Sequence, residues 1–477
     1  MIKSFLIILL FSLSLPTTYS QKFEKNRVII LTDIEADPDD TQSLIRFLLY
    51  SNEIDIEGLI ATTSCWMTNK VNPKSIKKVI HAYEKVQPNL LKHHSDFPKA
   101  AILYNLVKEG LPKYGMKGVG EGMDSEGSDW IIKKLEIEDN RPLWISIWGG
   151  SNTLAQALYT IQKTKSKKEA ERLIKKLRVY AISDQDDSGV WIRNNFPSLF
   201  YIVSPGDDYG NATWMGISAS YIKGIDHSKI SNSWIAKNIQ QNHGALGAAY
   251  PDVAWSVEGD TPAFLSLIPN GLNNAENPNW GGWGGRYELY IPDFSKVKEG
   301  HSIVQCKPET RKIWTNAIDT YTPYVTNEFG RAVKPDTNKF TGFKTTLWRW
   351  RDDFQNDFAG RMDWCTQSFT KANHPPVPIL NHEEEIYLKS GKSFQLNASK
   401  SIDPDGDSLS FLWFFYPEAG TFKGKFNLGQ PENSNTLNGV APIVNSPETI
   451  HIILKVTDKG NPSLSRYKRV ILNISPQ

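Results

Sequence analysis

The chain has 477 residues, with 54 Lys and Arg against 52 Asp and Glu, for a formal net charge of +2. This length predicts more than one domain and a full hydrophobic core, and the even charge balance excludes the strongly basic surface typical of nucleic-acid-binding proteins. The 15 Trp and 18 Tyr supply aromatic faces, which fill cores and also stack on sugar rings.

The N-terminus has the pattern of a signal peptide. Lys3 gives a positive start, an apolar run covers 5–15, and the small residues Thr18 and Ser20 follow. We therefore predict a signal peptide over residues 1–20 and a secreted or periplasmic protein. The run is too short to span a bilayer, and no later stretch is apolar enough, so no integral membrane contact is expected.

The next segments alternate between strand and helix patterns. RVIILT reads as a strand, TQSLIRFLLYS as a helix and IDIEGLIAT as a second strand. PLWISIWGG, SNTLAQALYTIQKT, LRVYAISD and LFYIVSP continue the alternation, and the basic stretch 163–176 reads as a solvated helix face. This order predicts an α/β fold with an open, mostly parallel sheet and flanking helices.

The later part of the chain changes character twice. Residues 260–365 have weak periodicity and predict long loops and short helices, with one helix near the end of WRWRDDFQNDFAGRMDWC. The proline-rich stretch 373–380 predicts an extended linker. We therefore expect a first domain over 21–372, the linker, and a second domain over 381–477.

The second domain has short alternating segments, SFQLNAS, LSFLWFFY, TIHIILKVTD and YKRVILNIS, separated by turn signals. They predict a small antiparallel β-sandwich. SKSIDPDGDSLSFLW and KVTDKGNPSLS resemble PKD and cadherin-like modules. The DPDGD stretch is compatible with a calcium site or with a plain acidic turn, and the sequence leaves both open.

The cysteines exclude a thiolate metal site. Cys65, Cys306 and Cys365 are three and sparse, and no CxxC pair or Cys/His cluster occurs.

The segment LTDIEADPDD carries most of the functional information. It places Asp33, Glu35, Asp37, Asp39 and Asp40 within eight residues, where a strand ends and a helix begins. Ligands bind at this end of a parallel sheet, and a hard cation relieves the repulsion among so many carboxylates. Oxygen ligands favour Ca²⁺ or Mg²⁺ over Zn²⁺. Helix capping is the alternative, but it needs only one or two acids.

This segment resembles the aspartate-rich loop of nucleoside hydrolases, D-x-D-P-G-x-D-D, with Glu35 in place of the second aspartate and Ala36-Asp37 in place of Pro-Gly. The resemblance implies that Glu35 binds Ca²⁺ and activates water. It implies that Asp40 chelates the metal and that Asp39 contacts sugar hydroxyls.

Two further segments support the same resemblance. WGGSNTLAQAL is similar to the family's G-P-L-T-N-L-A segment, which implies a backbone carbonyl ligand from Asn152. EGDTPAFL is similar to the late segment that donates an aspartate, which implies Asp260 as a ligand. The predicted metal ligands are therefore Asp33, Glu35, Asp40, Asn152 and Asp260.

Nearly the whole mature chain, residues 27–477, resembles a group of secreted bacterial proteins that join a nucleoside-hydrolase-like domain to a C-terminal β-module and are described as cellulose-binding-like. Segments that carry this resemblance include ISDQDDSGVWIRNNFP, HGALGAAYP, WGGWGGRYE and FQNDFAGRMDWC.

Several other side chains are candidate substrate contacts. Asn194 is the candidate for a sugar hydroxyl and Arg193 for a substrate carboxylate or sulfate. His243 is a candidate general acid, and Trp280 and Trp283 lie in a glycine-rich stretch where exposed rings would stack on sugars. For each of these, a structural role is the alternative.

These observations lead to three hypotheses for function. The first is a glycosidase that hydrolyses a glycoside or carbohydrate oligomer with Ca²⁺, in which Glu35 or Asp39 takes the proton from water. The second keeps the site but adds or removes water on uronic-acid oligosaccharides, as a lyase or dehydratase. The third is a non-catalytic carbohydrate-binding protein.

Overall fold

The computed structural model describes residues 24–218, 224–293, 303–304, 309–326, 332–428 and 433–477. The predicted signal peptide and Cys306 lie outside these ranges. Among the described residues, none of the helices has the length and hydrophobicity that a membrane crossing needs.

A central eight-stranded sheet organises the first domain. Its strands, in chain order, are β1 (Asn26–Thr32), β2 (Ile54–Ala61), β3 (Val107–Glu109), β4 (Leu143–Ile147), β5 (Leu177–Ser183), β6 (Phe200–Ser204), β7 (Tyr287–Tyr290) and β8 (Ile313–Asn316). Their order across the sheet is β3-β2-β1-β4-β5-β6-β8-β7, and only the β7–β8 pair is antiparallel. The predicted open, mostly parallel sheet is confirmed.

Helices cover both faces of the sheet. They are α1 (Asp39–Leu49), α2 (Pro73–Leu90), α3 (Ala100–Leu106), α4 (Glu126–Glu136), α5 (Asn152–Thr164), α6 (Lys167–Lys175), α7 (Ser188–Asn195), α8 (Asn232–Ile235), α9 (Gly244–Ala248), α10 (Pro262–Leu265), α11 (Thr345–Trp348) and α12 (Arg351–Asp363). Alternate residues of β1 enter two separate cores, Val28 and Ile30 on one face and Ile29 and Leu31 on the other. This double burial explains why the strand is a continuous apolar run.

The direction of chain winding reverses at the centre of the sheet. From β1 the chain moves through β2 to β3 at one edge, and it then returns to β4, on the other side of β1, and continues outward. The loops that follow β1 and β4 therefore diverge, and they leave a crevice at the carboxyl ends of these strands. The acidic segment follows β1 directly, so the topology places it at this switch point.

The C-terminal module is the predicted β-sandwich. Its strands are β13 (Glu385–Lys389), β14 (Ser393–Asn397), β15 (Ser410–Phe415), β16 (Thr436–Val440), β17 (Glu448–Thr457) and β18 (Ser465–Ser475). One sheet has the order β13-β18-β17-β15 and the other pairs β14 with β16. All these pairs are antiparallel except β13–β18.

A stretch between the central sheet and the C-terminal module contains two small antiparallel strand pairs and the long helix α12. The strands are β9 (Asp319–Tyr321), β10 (Tyr324–Thr326), β11 (Ala332–Pro335) and β12 (Phe340–Gly342), and β10 pairs with β11 while β9 pairs with β12. Helix α12 is buried on nearly all sides: Tyr50 and Asp357 share a hydrogen bond of 2.6 Å on the first-domain side, and Arg466 pairs with Asp357 at 2.6 Å on the module side. The apolar residues of the helix therefore belong to the core of the first domain, and its polar residues contact the module.

The predicted linker, 373–380, is not a free spacer. Asn373 and His374 are buried in it. The side chain of Asn373 donates to Asp458 at 3.1 Å, and the backbone N–H of His374 donates to Asp405 at 2.7 Å. These contacts fasten the start of the segment to the module.

Candidate functional site

The acidic segment begins with a tight turn. The backbone N–H of Ala36 donates to the carbonyl of Asp33 at 2.9 Å, and Glu35 within the turn has a φ of 76°. Non-glycine residues rarely adopt this left-handed region, and such strain concentrates at functional sites. The turn keeps Asp33 buried and leaves Glu35 exposed at the rim.

The next acids lie at the start of α1. Asp37, Asp39 and Asp40 each place one carboxylate oxygen within 4.8 Å of the other two. The hydroxyl of Thr32, the last residue of β1, donates to Asp40 and orients its buried carboxylate. The backbone N–H of Asp39 donates to Asp37 at 3.1 Å.

Asp260 joins these acids from a distant part of the sequence. The N–H of its neighbour, Gly259, donates to Asp39 Oδ2 at 3.1 Å. Asp260 is only 3% exposed, and its Oδ2 is buried with no hydrogen-bond partner in the described part of the chain. We call Asp33, Asp37, Asp39, Asp40 and Asp260 the acidic cluster.

The carboxylates of the acidic cluster act on one another electrostatically. Burial raises the pKa of Asp33 to about 7, and the charge of Asp37 adds to the effect. Burial also raises the pKa values of Asp39, Asp40 and Asp260 well above their usual range, with further contributions from the other acids of the cluster. Glu35 belongs to the same environment, because its charge raises the pKa of Asp40.

The acidic cluster fits a hard divalent cation. Its side-chain ligands are all oxygens, and no ion pair with Lys, Arg or His includes any of its members among the residues that the structure describes. A buried carboxylate oxygen without a donor, such as Asp260 Oδ2, costs free energy that a cation would recover. The predicted ligands Asp33, Asp40 and Asp260 share one buried environment, and the acids whose oxygens lie within 4.8 Å of one another are Asp37, Asp39 and Asp40.

Glycines let the backbone approach the acids. A Cβ on Gly149, in the loop after β4, would lie 2.6 Å from Asp33 Oδ1. A Cβ on Gly259 would lie 2.6 Å from Asp39 Oδ2 and 2.9 Å from the ring of Trp214. Only glycine fits such contacts without moving the carboxylates.

Asp186 links the loops after β4 and β5. It accepts hydrogen bonds from the backbone N–H of Ser188 at 2.9 Å and of Asn152 at 3.2 Å. Burial raises its pKa to about 6. The side chain therefore fixes the starts of α7 and α5 relative to each other.

The side chain of Asn152 has a structural role among the loops near the site. Asn152 is the first residue of α5. Its side chain donates to the carbonyl of Lys113 at 2.7 Å and accepts from the hydroxyl of Thr62 at 2.8 Å. The side chain of Asn152 thus joins three loops, and metal binding by its backbone carbonyl stays a prediction.

Arg193 is engaged inside the protein. It is 1% exposed, pairs with both oxygens of Asp184 at 2.9 Å, and reaches Glu309 at 2.6 Å. It is therefore not free to bind a substrate anion.

Asn194 is exposed at the C-terminal end of α7, about 10 Å along the helix from its start.

His243 lies apart from the acidic cluster. Its Nε2 faces Asp363 Oδ1, on α12, at 3.2 Å. The structure therefore does not support the predicted role of His243 as a general acid at the acidic cluster.

The two candidate tryptophans belong to the domain interface. Trp283 is fully buried and packs edge-on against Phe354 and Tyr467. Trp280 is half-buried against His451, with ring centroids 5.0 Å apart, and against Arg469. The prediction of exposed stacking rings is wrong for Trp283, because the glycines around it allow close packing, not exposure.

The structure adds four residues to the mouth of the site. Ser64, which follows β2, forms a hydrogen bond with Asp33. Burial raises the pKa of the neighbouring Cys65 to about 12, and the charges of Asp33 and Asp186 add to this shift. Burial and the charges of Asp39 and Asp37 raise the pKa of Tyr209. The Tyr209 ring lies 6.5 Å from that of Trp66, which is 56% exposed. The residues SCW after β2 were the available signal, because a polar and aromatic group at a strand end marks the ligand-binding edge.

Comparison with known proteins identifies the family of the chain. Residues 27–287 match the family described as cellulose-binding Sde182, nucleoside hydrolase-like domain. The chain belongs to the Sde182 family. Residues 393–474 match the Sde0182 C-terminal domain, so both domains of the chain have Sde182-type counterparts.

A solved structure matches nearly the whole Sde182-type chain. It is a nucleoside hydrolase-related hypothetical protein from Saccharophagus degradans that is associated with carbohydrate metabolism. The sequences are 35% identical, the match covers 95% of this chain and 100% of that chain, and the TM-score is 0.76. No curated protein matches.

Weaker likenesses add nothing on function. The effector protein XOO4466 is 11% identical over 60% of this chain and 89% of its own, with a TM-score of 0.29. The type III effector XopQ, complexed with adenosine diphosphate ribose, is 12% identical over 51% of this chain and 81% of its own, with a TM-score of 0.27.

Proposed function

We propose that this Sde182-family protein is a secreted carbohydrate-active hydrolase that cleaves a glycosidic bond at the acidic cluster with a bound divalent cation, Ca²⁺ by preference. The observation that carries the proposal is the buried, uncompensated charge of the cluster, together with the unpartnered oxygen of Asp260. Sugar as the substrate class is supported by the family description and by the carbohydrate association of the Saccharophagus degradans protein.

The residues of the chain divide the chemistry between them. Asp33, Asp37, Asp40 and Asp260 would hold the cation, which supplies a Lewis acid that makes a water molecule more acidic. Asp39 or Glu35 would accept one proton of the attacking water, whose oxygen bonds to the anomeric carbon, and the departing glycosidic oxygen would take a proton from solvent. The buried negative charge of the cluster would stabilise the positive charge that develops at the anomeric carbon of the sugar.

The exposure of the two candidate bases separates their roles. Asp39 accepts a hydrogen bond from Gly259 and is held inside the cluster, whereas Glu35 lies at the solvent-facing rim. A base at the rim exchanges its proton readily with solvent. We therefore assign proton acceptance to Glu35 and the contact with sugar hydroxyls to Asp39.

The test is a screen of plant and algal oligosaccharides with the mature protein, in the presence of Ca²⁺ or of a chelator. Hydrolysis gives two products that together contain one added water, whereas a dehydratase product lacks one water, and mass spectrometry separates the two outcomes. Glu35→Gln is expected to abolish turnover without changing the circular dichroism spectrum. Full turnover in that variant, or in the chelator, contradicts the proposed mechanism.

A second candidate function is carbohydrate binding without catalysis, which the cellulose-binding family descriptions favour. Retention of the protein on insoluble cellulose, with no soluble products after long incubation with Ca²⁺, would support it over the first.

A further inference from the structure

A large cleft separates the first domain from the C-terminal module. Its volume is about 790 Å³, within the range of small-molecule sites. One wall comes from β9 and the α11–α12 region, and the other from β15. No member of the acidic cluster lines it, so this interdomain cleft is separate from the site described above.

Aromatic side chains from both domains line the interdomain cleft. Tyr321 and Trp348 stand on the first-domain wall with ring centroids 5.6 Å apart in an edge-on arrangement. Phe414 lies on the module wall and packs on Trp350 beneath it, at 6.1 Å. Tyr321, Trp348 and Phe414 are all half-buried, so part of each side chain stays open.

The polar lining is balanced in charge. The described lining includes three acids and three cations, Asp226, Asp352, Asp353, Lys229, Arg349 and Lys455. This balance gives no excess of either sign that would attract a polyanion or a polycation.

Part of this polar lining is held rigid. Asp353 is 8% exposed and accepts hydrogen bonds from Lys455 Nζ at 2.5 Å and from Ser465 at 3.2 Å. Both partners come from the module, so the cleft is built by contacts between the domains. Rigid polar groups reduce the entropy lost when a ligand binds.

These features match the chemistry of a neutral sugar chain. A pyranose ring has an apolar face that packs on an aromatic ring and an edge of hydroxyls that bond to carboxylates, amides and ammonium groups. We propose that the interdomain cleft is a second carbohydrate site, which holds a neutral oligosaccharide at a distance from the acidic cluster. The choice of a sugar as ligand rests on the proposed function, whereas the location rests on the cleft itself.

The test measures binding and turnover separately. Binding of neutral oligosaccharides from β-glucan, xylan and mannan, and of an oligogalacturonate as the charged comparison, is measured by calorimetry on the full mature protein. At least one neutral oligosaccharide is expected to bind, and Trp348→Ala is expected to weaken that binding about tenfold. Tyr387→Ala, which removes a 76% exposed ring from β13, is the matched control and is expected to bind as the wild type does.

Asp352→Asn is a second variant that spares the fold, because the Asp352 side chain is 67% exposed. It is expected to weaken binding with an unchanged melting temperature. The proposal is overturned if no neutral oligosaccharide binds the wild type below about 1 mM, if both variants bind normally, or if the oligogalacturonate binds more tightly. Asp260→Asn is expected to lose the proposed hydrolysis while it still binds the oligosaccharide in the interdomain cleft. This result would show that the cleft and the acidic cluster are independent sites.

Discussion

Arg46 and Glu258 form a fully buried ion pair that connects two parts of the candidate site. Arg46 lies on α1, the helix that begins with Asp39 and Asp40, and Glu258 stands two residues before Asp260. Tyr250 and Thr261 also donate to Glu258, at 2.6 and 2.8 Å, and its backbone has a φ of 46°. A single helix therefore carries acids of the cluster and the anchor for the loop that brings Asp260 to them.

Arg46→Met is expected to destabilise the protein by about 3–5 kcal/mol, because it leaves Glu258 buried without its cation. Urea unfolding of the wild type and the variant measures this difference. Arg46→Met combined with Glu258→Leu should recover part of the loss, since no unpaired charge then remains. Equal stability of the single variant and the wild type would contradict the assigned role.

Asp260→Asn is expected to weaken Ca²⁺ binding by about 10- to 100-fold while the fold persists, because the amide has nearly the same shape but no charge. Calorimetric titration with Ca²⁺ checks this. Asp252→Asn alters an exposed acid eight residues away and serves as the control, with unchanged affinity.

Gly259→Ala is expected to disturb the cluster, since the added methyl group would meet both Asp39 and the ring of Trp214. We expect weaker Ca²⁺ binding and a loss of stability of about 1–3 kcal/mol from overpacking. Gly210→Ala is the matched control, because a Cβ there meets no atom within 4 Å. If the two variants behave alike, the close approach of Gly259 is unimportant.

His451 makes stability depend on pH. Burial and the neighbouring Arg469 lower the pKa of this histidine to about 3 in the folded protein, whereas an unfolded histidine titrates near 6.5. Between these values the unfolded chain binds a proton that the folded chain does not, so the free energy of unfolding falls as the pH falls. At pH 4 the cost is about 3 kcal/mol relative to pH 7.

Chemical unfolding at both pH values checks this expectation. His451→Gln should lose less stability than the wild type between pH 7 and 4, by about that amount. The same pH dependence in both proteins would assign the effect to other groups.

Arg466→Ala is expected to destabilise the whole protein by about 2 kcal/mol, because it removes a charged hydrogen-bond donor from Asp357. Although burial opposes the shift, Arg466 and Arg361 hold the pKa of Asp357 down to about 2, which reflects a tightly bound carboxylate. A single unfolding transition, shifted to lower denaturant, is the expected readout. Two separate transitions would show that the domains unfold independently.

The sequence was sufficient for features that depend on local pattern. Each of these patterns is contained in a short stretch of sequence: the apolar run of β1, the acids that follow it, and the alternation of apolar and polar residues within each strand of the module. Asp260 was found through its motif, and the topology then places it beside Asp39.

Features that depend on distant partners could not be predicted in this way. Arg193 pairs with Glu309 across 116 residues, His243 with Asp363 across 120, and Trp283 contacts Tyr467 across 184. Nothing near these residues in the sequence indicates such contacts, so each retained a functional interpretation that the fold removes. Asp37 was missed as a candidate ligand because the motif has glycine at this position, although the charge of Asp37 was visible in the sequence.

The burial of α12 has an implication for how such proteins are recombined. The two family matches end at residue 287 and resume at 393, so the helix at 351–363 belongs to neither. A chimera joined at those limits would lack the helix that contacts both domains. Exchange of modules between relatives should therefore succeed only when the segment that contains this helix is kept with one domain. The surface of the other domain that contacts the helix must then be replaced as well.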